Sequence, residues 1–487
     1  MAVPVETLSE ALSHWAREQP GRPALSEGDE ELGYADLDRL VTEAAERLAG
    51  AGIRPSDRVA LLGGNTLEWV VAFLGGLRLG AIVVPLNARL SRLELRRQLE
   101  VAEPRVVLAS GELAGRVARP SLILERGHRQ SLWRRPRAEV ETAPGAADPA
   151  LIAFTSGTTG TPKGATITHA ALVSSAGSFS PVLGTSSADR TLVLVPLFHN
   201  TGFNDQLAHM LLVGGSVDLL REFSVAGALA ALERRPATYL IAVPSIYRLL
   251  MLHERAGSVF AGCGVAVYGG ASMPTAWIKE LAERWPQLRL FNCYGLTEFT
   301  SVSHLLAPEH ALTRPDSVGR PVEGVRQQVV DGELWLAGPT RMSGYWRDDT
   351  ATADVLSGDW LRTGDLGRIE DSFLFLAGRS AETINRGGEK IHPVQVEAAL
   401  SELPGIAEAA VVGAPHPIFQ ERVVAWVVPR GGFDEDEARR HLAERVPDYA
   451  VPEEFVLADE LPRNAAGKLD RGALREEARR VFAVGAA

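Results

Sequence analysis

The chain has 487 residues, of which 46% are apolar, 23% charged and 6% aromatic, so it is an ordinary globular composition and too long for one simple core. Its net charge of −11 and pI near 5.6 argue against nucleic acid or an anionic membrane as a partner of the whole protein. Its two cysteines, Cys263 and Cys293, supply neither a disulfide framework nor metal-ligand spacing. Taken in order, Thr7 is placed to cap an amphipathic helix through Trp15, and a second helix runs from Tyr34 to about Ala49. Arg58 to Leu62 reads as a strand, Glu68 to Leu77 as a helix, Ala81 to Pro85 as a strand, Ser91 to Ala102 as a helix and Arg105 to Leu108 as a strand. This alternation predicts a parallel, helix-covered sheet. Residues 111 to 148 are rich in Arg and Pro and read as loop-heavy. The most apolar long stretch, Trp69 to Leu86, is broken by Gly75-Gly76, Arg78 and Pro85, so no membrane span is expected. The N-terminus lacks a basic region followed by an apolar core, and a cytoplasmic protein is expected.

Residues 152 to 164 then read I-A-F-T-S-G-T-T-G-T-P-K-G. Gly157, Gly160 and Gly164 permit close approach of backbone to a ligand. Thr155, Ser156, Thr158, Thr159 and Thr161 add hydroxyls, and Lys163 adds a compact cation. Such a set suits a polyphosphate. It is not the Walker-type loop, because Lys163 follows Thr-Pro and not Gly. Only four lysines occur, Lys163, Lys279, Lys390 and Lys468; the rest of the 50 basic residues are Arg. A lysine kept against such a bias is a candidate for chemistry that needs an ammonium.

Further on, a helix is expected over Ala170 to Ser178, and Leu192 to Val195 forms a strand ending at P-L-F-H-N-T-G-F. Asn204 to Val213 reads as a helix. Tyr239 to Val243 and Gly264 to Val267 read as strands, the latter ending in Y-G-G-A. Leu288 to Asn292 enters C-Y-G-L-T-E. Ligands of open α/β sheets sit at the carboxyl ends of strands, so one site assembled from these loops is expected. After Ser317 the texture changes to antiparallel strands, then W-L-R-T-G-D, then G-R at Gly378-Arg379 and a small α+β region.

The string T-S-G-T-T-G-T-P-K-G closely resembles the phosphate loop of the adenylate-forming superfamily, which includes acyl-CoA synthetases, amino-acid adenylation domains and beetle luciferases. The other motifs follow in the family's order across nearly the whole chain. The resemblance implies an α/β fold: a large N-terminal domain of helix-covered sheets, residues 1–378, and a small mobile α+β C-terminal domain, residues 379–487. It implies that Thr155, Ser156, Gly157, Thr158, Thr159 and Lys163 hold the ATP phosphates. In Y-G-L-T-E it implies adenine stacking by Tyr294, α-phosphate contact by Thr297 and Mg²⁺ binding by Glu298. Gly269, Gly270 and Ala271 would form the flat adenine wall, with Asn292 and Cys293 bordering it; Cys293 reads as a small buried filler. Asp365 would accept both ribose hydroxyls and Arg379 would reach the same ribose. Lys468, in G-K-L-D-R, would bridge the substrate carboxylate and the α-phosphate, offsetting the repulsion of two anions. Its neighbour Asn464, where the family often has Thr, carries no expected consequence. Gly387 and Gly388 would line the pantetheine channel. Ala381 stands at the hinge position usually held by Lys or Asp, beside Glu382.

His199 matches a position flanking the substrate carboxylate in many CoA ligases. Asn200, Thr201, Phe203, Tyr268, Gly269 and Phe299 are expected to line the acyl site. The F-H-N-T-G-F stretch lacks the Asp that binds an α-amine in amino-acid-activating relatives. The expectation is therefore an ATP-, Mg²⁺- and CoA-dependent acid–CoA ligase acting on a hydrophobic carboxylic acid. A stand-alone enzyme loading an acyl carrier protein, or an ATP-binding relative without chemistry, remain the alternatives. A homodimer is compatible with the sequence.

Overall fold

The computed structural model describes residues 2–117, 121–140, 143–155, 162–271, 273–379, 382–386, 389–416, 419–464 and 467–482. It divides into two compact units. The first comprises Met1–Met273, Lys279–Arg326 and Leu336–Leu361; the second comprises Pro274–Ile278, Gln327–Trp335 and Arg362–Ala487. The expected mixed α/β architecture is what is found.

The first unit is built on two sheets. One orders its strands Gly344–Tyr345, Gly164–Thr168, Pro149–Phe154, Ile82–Pro85, Arg58–Leu62, Val106–Ala109 and Ser121–Ile123. Its centre is parallel, Arg58–Leu62 lying between Ile82–Pro85 and Val106–Ala109. Those strands are nearly all Val, Ile, Leu and Ala because both faces are buried. Thr66 caps the connecting helix Leu67–Leu79, its hydroxyl accepting from the Trp69 N–H, and Gly80 ends it in the left-handed region. Ser91 and Glu94 form a reciprocal capping box at the start of helix Arg92–Ala102.

The other sheet runs Ser317–Pro321, Val302–Leu306, Arg289–Gly295, Val265–Gly269, Tyr239–Ala242, Arg190–Val193, Ser216–Leu219, Pro23–Glu27 and Glu30–Gly33. Strands Pro23–Glu27, Gly164–Thr168 and Ser216–Leu219 have too little apolar alternation to be read from sequence; sheet pairing makes them strands. The helix expected over Asn204 to Val213 is found as a π-helical segment, Thr201–Ala208, continuing into α-helix His209–Val213. The wider turn accommodates three consecutive buried polar residues, Asn204, Asp205 and Gln206. Asn204 donates to Ser175 at 2.9 Å, and Gln206 to Thr191 at 2.9 Å.

The second unit carries the greater part of a meander of Arg326–Val330, Glu333–Ala337, Trp360–Glu370 and Phe373–Arg379. Beyond it lies a sheet ordered Glu389–Ile391, Ile384–Arg386, Gln420–Pro429 and Ile406–His416, with Glu454–Leu457 paired in parallel to Gln420–Pro429. Alternate residues send Val411, Val423 and Ala425 to one core, with Val396, Leu400 and Leu442, and Val412, Val424 and Trp426 to another, with Leu474 and Ala478. Among the described residues no helix is long and apolar enough to cross a membrane.

Candidate functional site

Strands Pro149–Phe154 and Gly164–Thr168 form the antiparallel hairpin that carries the Gly/Thr loop, with Phe154 opposite Gly164. Its base is closed where the Thr155 N–H donates to the Lys163 carbonyl at 3.1 Å. Ser156, Gly157, Thr158 and Thr159 lie outside the described residues. On the outer edge of this hairpin, Gly344 and Tyr345 pair with Thr166 and Ala165. That pairing brings the Tyr345 ring to 5.3 Å from the Lys163 ammonium. The Tyr345 hydroxyl donates to Glu298 Oε1 at 2.9 Å. The Glu298 carbonyl accepts from the Met342 N–H at 2.9 Å. Lys163 and Glu298, far apart in sequence, thus meet the same tyrosine.

Glu298 sits in the 3₁₀ turn Thr297–Phe299 that follows strand Arg289–Gly295. Gly295 is required there, because a Cβ would lie 1.8 Å from the Ser301 carbonyl oxygen. Thr300 has φ +64°, a costly conformation for a β-branched residue. It is held by its hydroxyl, which donates to the Thr340 carbonyl at 2.6 Å, and by Asn200, whose side-chain amide donates to the Thr300 carbonyl. Asn200 therefore brings the His199 turn to the Thr297–Glu298 turn. Behind that turn, buried Asn65 accepts from the Leu197 N–H at 2.8 Å and donates to the Val195 and Leu220 carbonyls at 3.1 and 3.0 Å. Nothing periodic in G-G-N-T marks Asn65 in the sequence. The His199 carbonyl accepts from the Gly202 and Phe203 N–H groups, and its ring lies 4.6 Å from that of Phe198.

Gly269 ends the strand beside Cys293, and a Cβ on it would come to 2.3 Å from Cys293 Sγ and 2.5 Å from its carbonyl oxygen. Cys293 is half-buried, and desolvation pushes its thiol far up, which leaves it unreactive. Gly270 and Ala271 are exposed. Asn292 donates to the Ser317 carbonyl at 2.9 Å, and the Tyr294 ring lies 5.8 Å from that of His304. Tyr268 is fully buried, on the strand face opposite Gly269 and Cys293. Phe203 and Phe299 are fully buried as well, Phe203 packing at 5.8 Å on Phe73, whereas Thr201 is half-buried. Asp205, beyond Phe203, is buried; its carboxylate accepts from Ser301 at 2.8 Å and Asn204 at 3.1 Å. Burial lifts that carboxyl to about 7 against the pull of these two donors.

In the second unit Asp365 is buried in strand Trp360–Glu370 and pairs across the ladder with Arg379. Its N–H donates to Thr363 Oγ1 at 3.1 Å, and Thr363 donates to the Leu334 carbonyl at 2.7 Å. Glu333 accepts from the Gly364 N–H at 2.9 Å, so the T-G-D turn is fixed from one neighbouring strand. The Arg379 side chain, Ala381, Gly387 and Gly388 lie outside the described residues. Lys468 lies on an exposed loop. Its N–H donates to Asn464 Oδ1 at 3.1 Å and its carbonyl accepts from the Asn464 N–H at 2.7 Å. Asn464 thus organises the lysine loop, a role its sequence position does not advertise. The loop ends at Arg471, whose guanidinium grips Glu397 through two nitrogens and Glu382 at 3.1 Å. Two clefts of this unit, about 270 and 430 Å³, are lined by none of the expected site residues.

Among the described residues no cluster of three or more His, Cys, Asp or Glu could hold a metal alone. A lone carboxylate such as Glu298 still fits Mg²⁺, which keeps several waters and is shared with substrate phosphates. A hydroxyl-rich loop with a lysine and a Thr-Glu turn on the same unit define a nucleotide-handling α/β enzyme.

Family models agree: the AMP-binding enzyme model matches residues 12–346, and the AMP-binding enzyme C-terminal domain model matches 395–468. The chain belongs to the AMP-binding enzyme family. It is 33% identical to an indoleacetate–CoA ligase of Aromatoleum aromaticum, over 98% of this chain and 99% of that protein. It is 32% identical to a 2-succinylbenzoate–CoA ligase of Bacillus licheniformis, over 93% and 96% of the two chains. The structure of o-succinylbenzoate CoA synthetase from Bacillus subtilis with ATP and magnesium superposes with a TM-score of 0.84 at 30% identity, covering 96% of this chain and 98% of that one. The activity is ATP-dependent acid–CoA ligation, with ATP, Mg²⁺ and CoA as the required small molecules.

Proposed function

We propose that this ligase activates a hydrophobic carboxylic acid, with aryl-substituted acids first in line. Two relatives named above act on indoleacetate and 2-succinylbenzoate, both aryl-bearing acids, and buried Leu197 and Phe203 flank the His199 turn. In this reading the substrate carboxylate attacks the ATP α-phosphorus and pyrophosphate leaves. The CoA thiol then displaces AMP from the acyl carbon. Thr155 and Lys163 hold phosphates, Thr297 contacts the α-phosphate, and Asp365 holds the ribose. His199 orients the acid. Lys468 places its ammonium between the two anions that meet in the adenylation step. Mg²⁺, when bound at Glu298, neutralises phosphate charge. Residues 379–487 form the part that moves between the half-reactions. A cytoplasmic enzyme and a homodimer are both compatible with this chemistry.

The observation that supports the nucleotide half of this reading is the contact of Tyr345 with both Lys163 and Glu298. The test is pyrophosphate release with ATP and Mg²⁺ over a panel of linear, aromatic and polycyclic acids, with and without CoA. We expect turnover with one aryl-bearing class, a CoA-dependent thioester, and a loss of about 10²–10³-fold in Lys468→Ala, as for removal of one transition-state charge donor. Adenylation without transfer to CoA would point to a carrier-protein acceptor. No pyrophosphate release from any acid would refute the proposed substrate class.

A further inference from the structure

We infer that Tyr345 is a positioning residue for the metal carboxylate and for the phosphate-loop lysine together. The inference rests on Glu298 holding the metal and Lys163 holding phosphate. Tyr345 reaches this place through the backbone, not through its ring. Its strand Gly344–Tyr345 is paired to the phosphate hairpin, its own N–H donates to Thr352 Oγ1 at 2.8 Å, and the following Trp346 N–H donates to the Gly164 carbonyl at 2.7 Å. Thr352 in turn donates its hydroxyl to the Asp348 carbonyl at 2.7 Å. The residue is 8% exposed, so its ring has little freedom.

The phenol's two ends then do different work. The hydroxyl donates to Glu298 Oε1 at 2.9 Å, which fixes the carboxylate plane and leaves Oε2 for a cation. The ring face meets the Lys163 ammonium at 5.3 Å, an attraction that costs the lysine no charge. A carboxylate in the same place would neutralise Lys163 before any phosphate arrived. An aliphatic residue would remove the partner that Lys163 and Glu298 share. A tyrosine orients the anion and the cation while leaving each its charge for the ligand.

The test is ATP binding by calorimetry in wild type, Tyr345→Phe and Glu298→Gln across a Mg²⁺ titration, with Tm recorded for each. The phenylalanine keeps the ring under Lys163 and removes only the hydroxyl. Tyr345→Phe is expected to raise the Mg²⁺ concentration at half-maximal ATP binding by about tenfold, the scale of one hydrogen bond to a charged group. ATP affinity in EDTA should stay within about twofold of wild type, because the ring under Lys163 is unchanged. A merely structural role would lower Tm without moving the Mg²⁺ midpoint. If Glu298→Gln shifts the midpoint and Tyr345→Phe does not, the inference is overturned. If neither shifts it, the assignment of Glu298 to the metal fails first.

Discussion

Single residues in this protein are tightly constrained where neighbouring strands run side by side into a turn. Gly269 is one such point, since any Cβ would strike both the sulfur and the backbone of Cys293. Gly269→Ala should therefore displace the strand end and cost about 1–3 kcal/mol, the usual range for overpacking. Thermal unfolding and ATP calorimetry would show both losses, and a variant as stable as wild type would refute the clash. Asp205 offers a pH test. Its folded carboxyl is raised from 3.8 to about 7, mainly by burial. A raised carboxyl contributes stability that is complete below about pH 4 and is lost as pH rises through about 7. Asp205→Asn removes that loss. The difference in Tm between variant and wild type should move in the variant's favour from pH 5 to pH 7 and then level off; a constant difference would contradict the raised carboxyl.

At the scale of elements, the most informative cluster is the ion triad at the start of helix Arg471–Phe482. Arg471 ties the lysine loop to helix Pro393–Ser401 through Glu397 and to the segment before strand Ile384–Arg386 through Glu382. Removing one member of this part-buried set leaves the others under-compensated, at about 1.5–3 kcal/mol for hydrogen bonds to charged groups. Arg471→Met keeps the bulk and loses the charge, so a fall in Tm of several degrees is expected. Glu382→Gln keeps the paired grip on Glu397 and should cost much less. Equal losses in the two variants, measured by calorimetric melting, would show that the triad does not work in this graded way.

At the scale of the whole molecule, the parallel sheet with its covering helices was legible because both faces bury apolar residues, and V-A-L-L at Val59–Leu62 or V-V-A-F-L at Val70–Leu74 can hardly be read otherwise. The motif strings also named the family directly, since loops that approach a nucleotide tolerate few residue types. Strands such as Gly164–Thr168 were not legible, because pairing and not local preference makes them strands. The π-helical segment Thr201–Ala208 was hidden for the same reason: its polar run is stable only where Ser175, Thr191 and Ser301 receive it. The sequence by itself determined the fold class and the reaction chemistry, because those depend on side-chain type at fixed local spacing. Only the tertiary structure decided that Tyr345 serves both Lys163 and Glu298, that Asn65 holds the His199 turn and that Arg471 anchors the lysine loop. Each of these acts across a long stretch of chain, and no local spacing records which distant residues a sheet edge or a buried charge will meet.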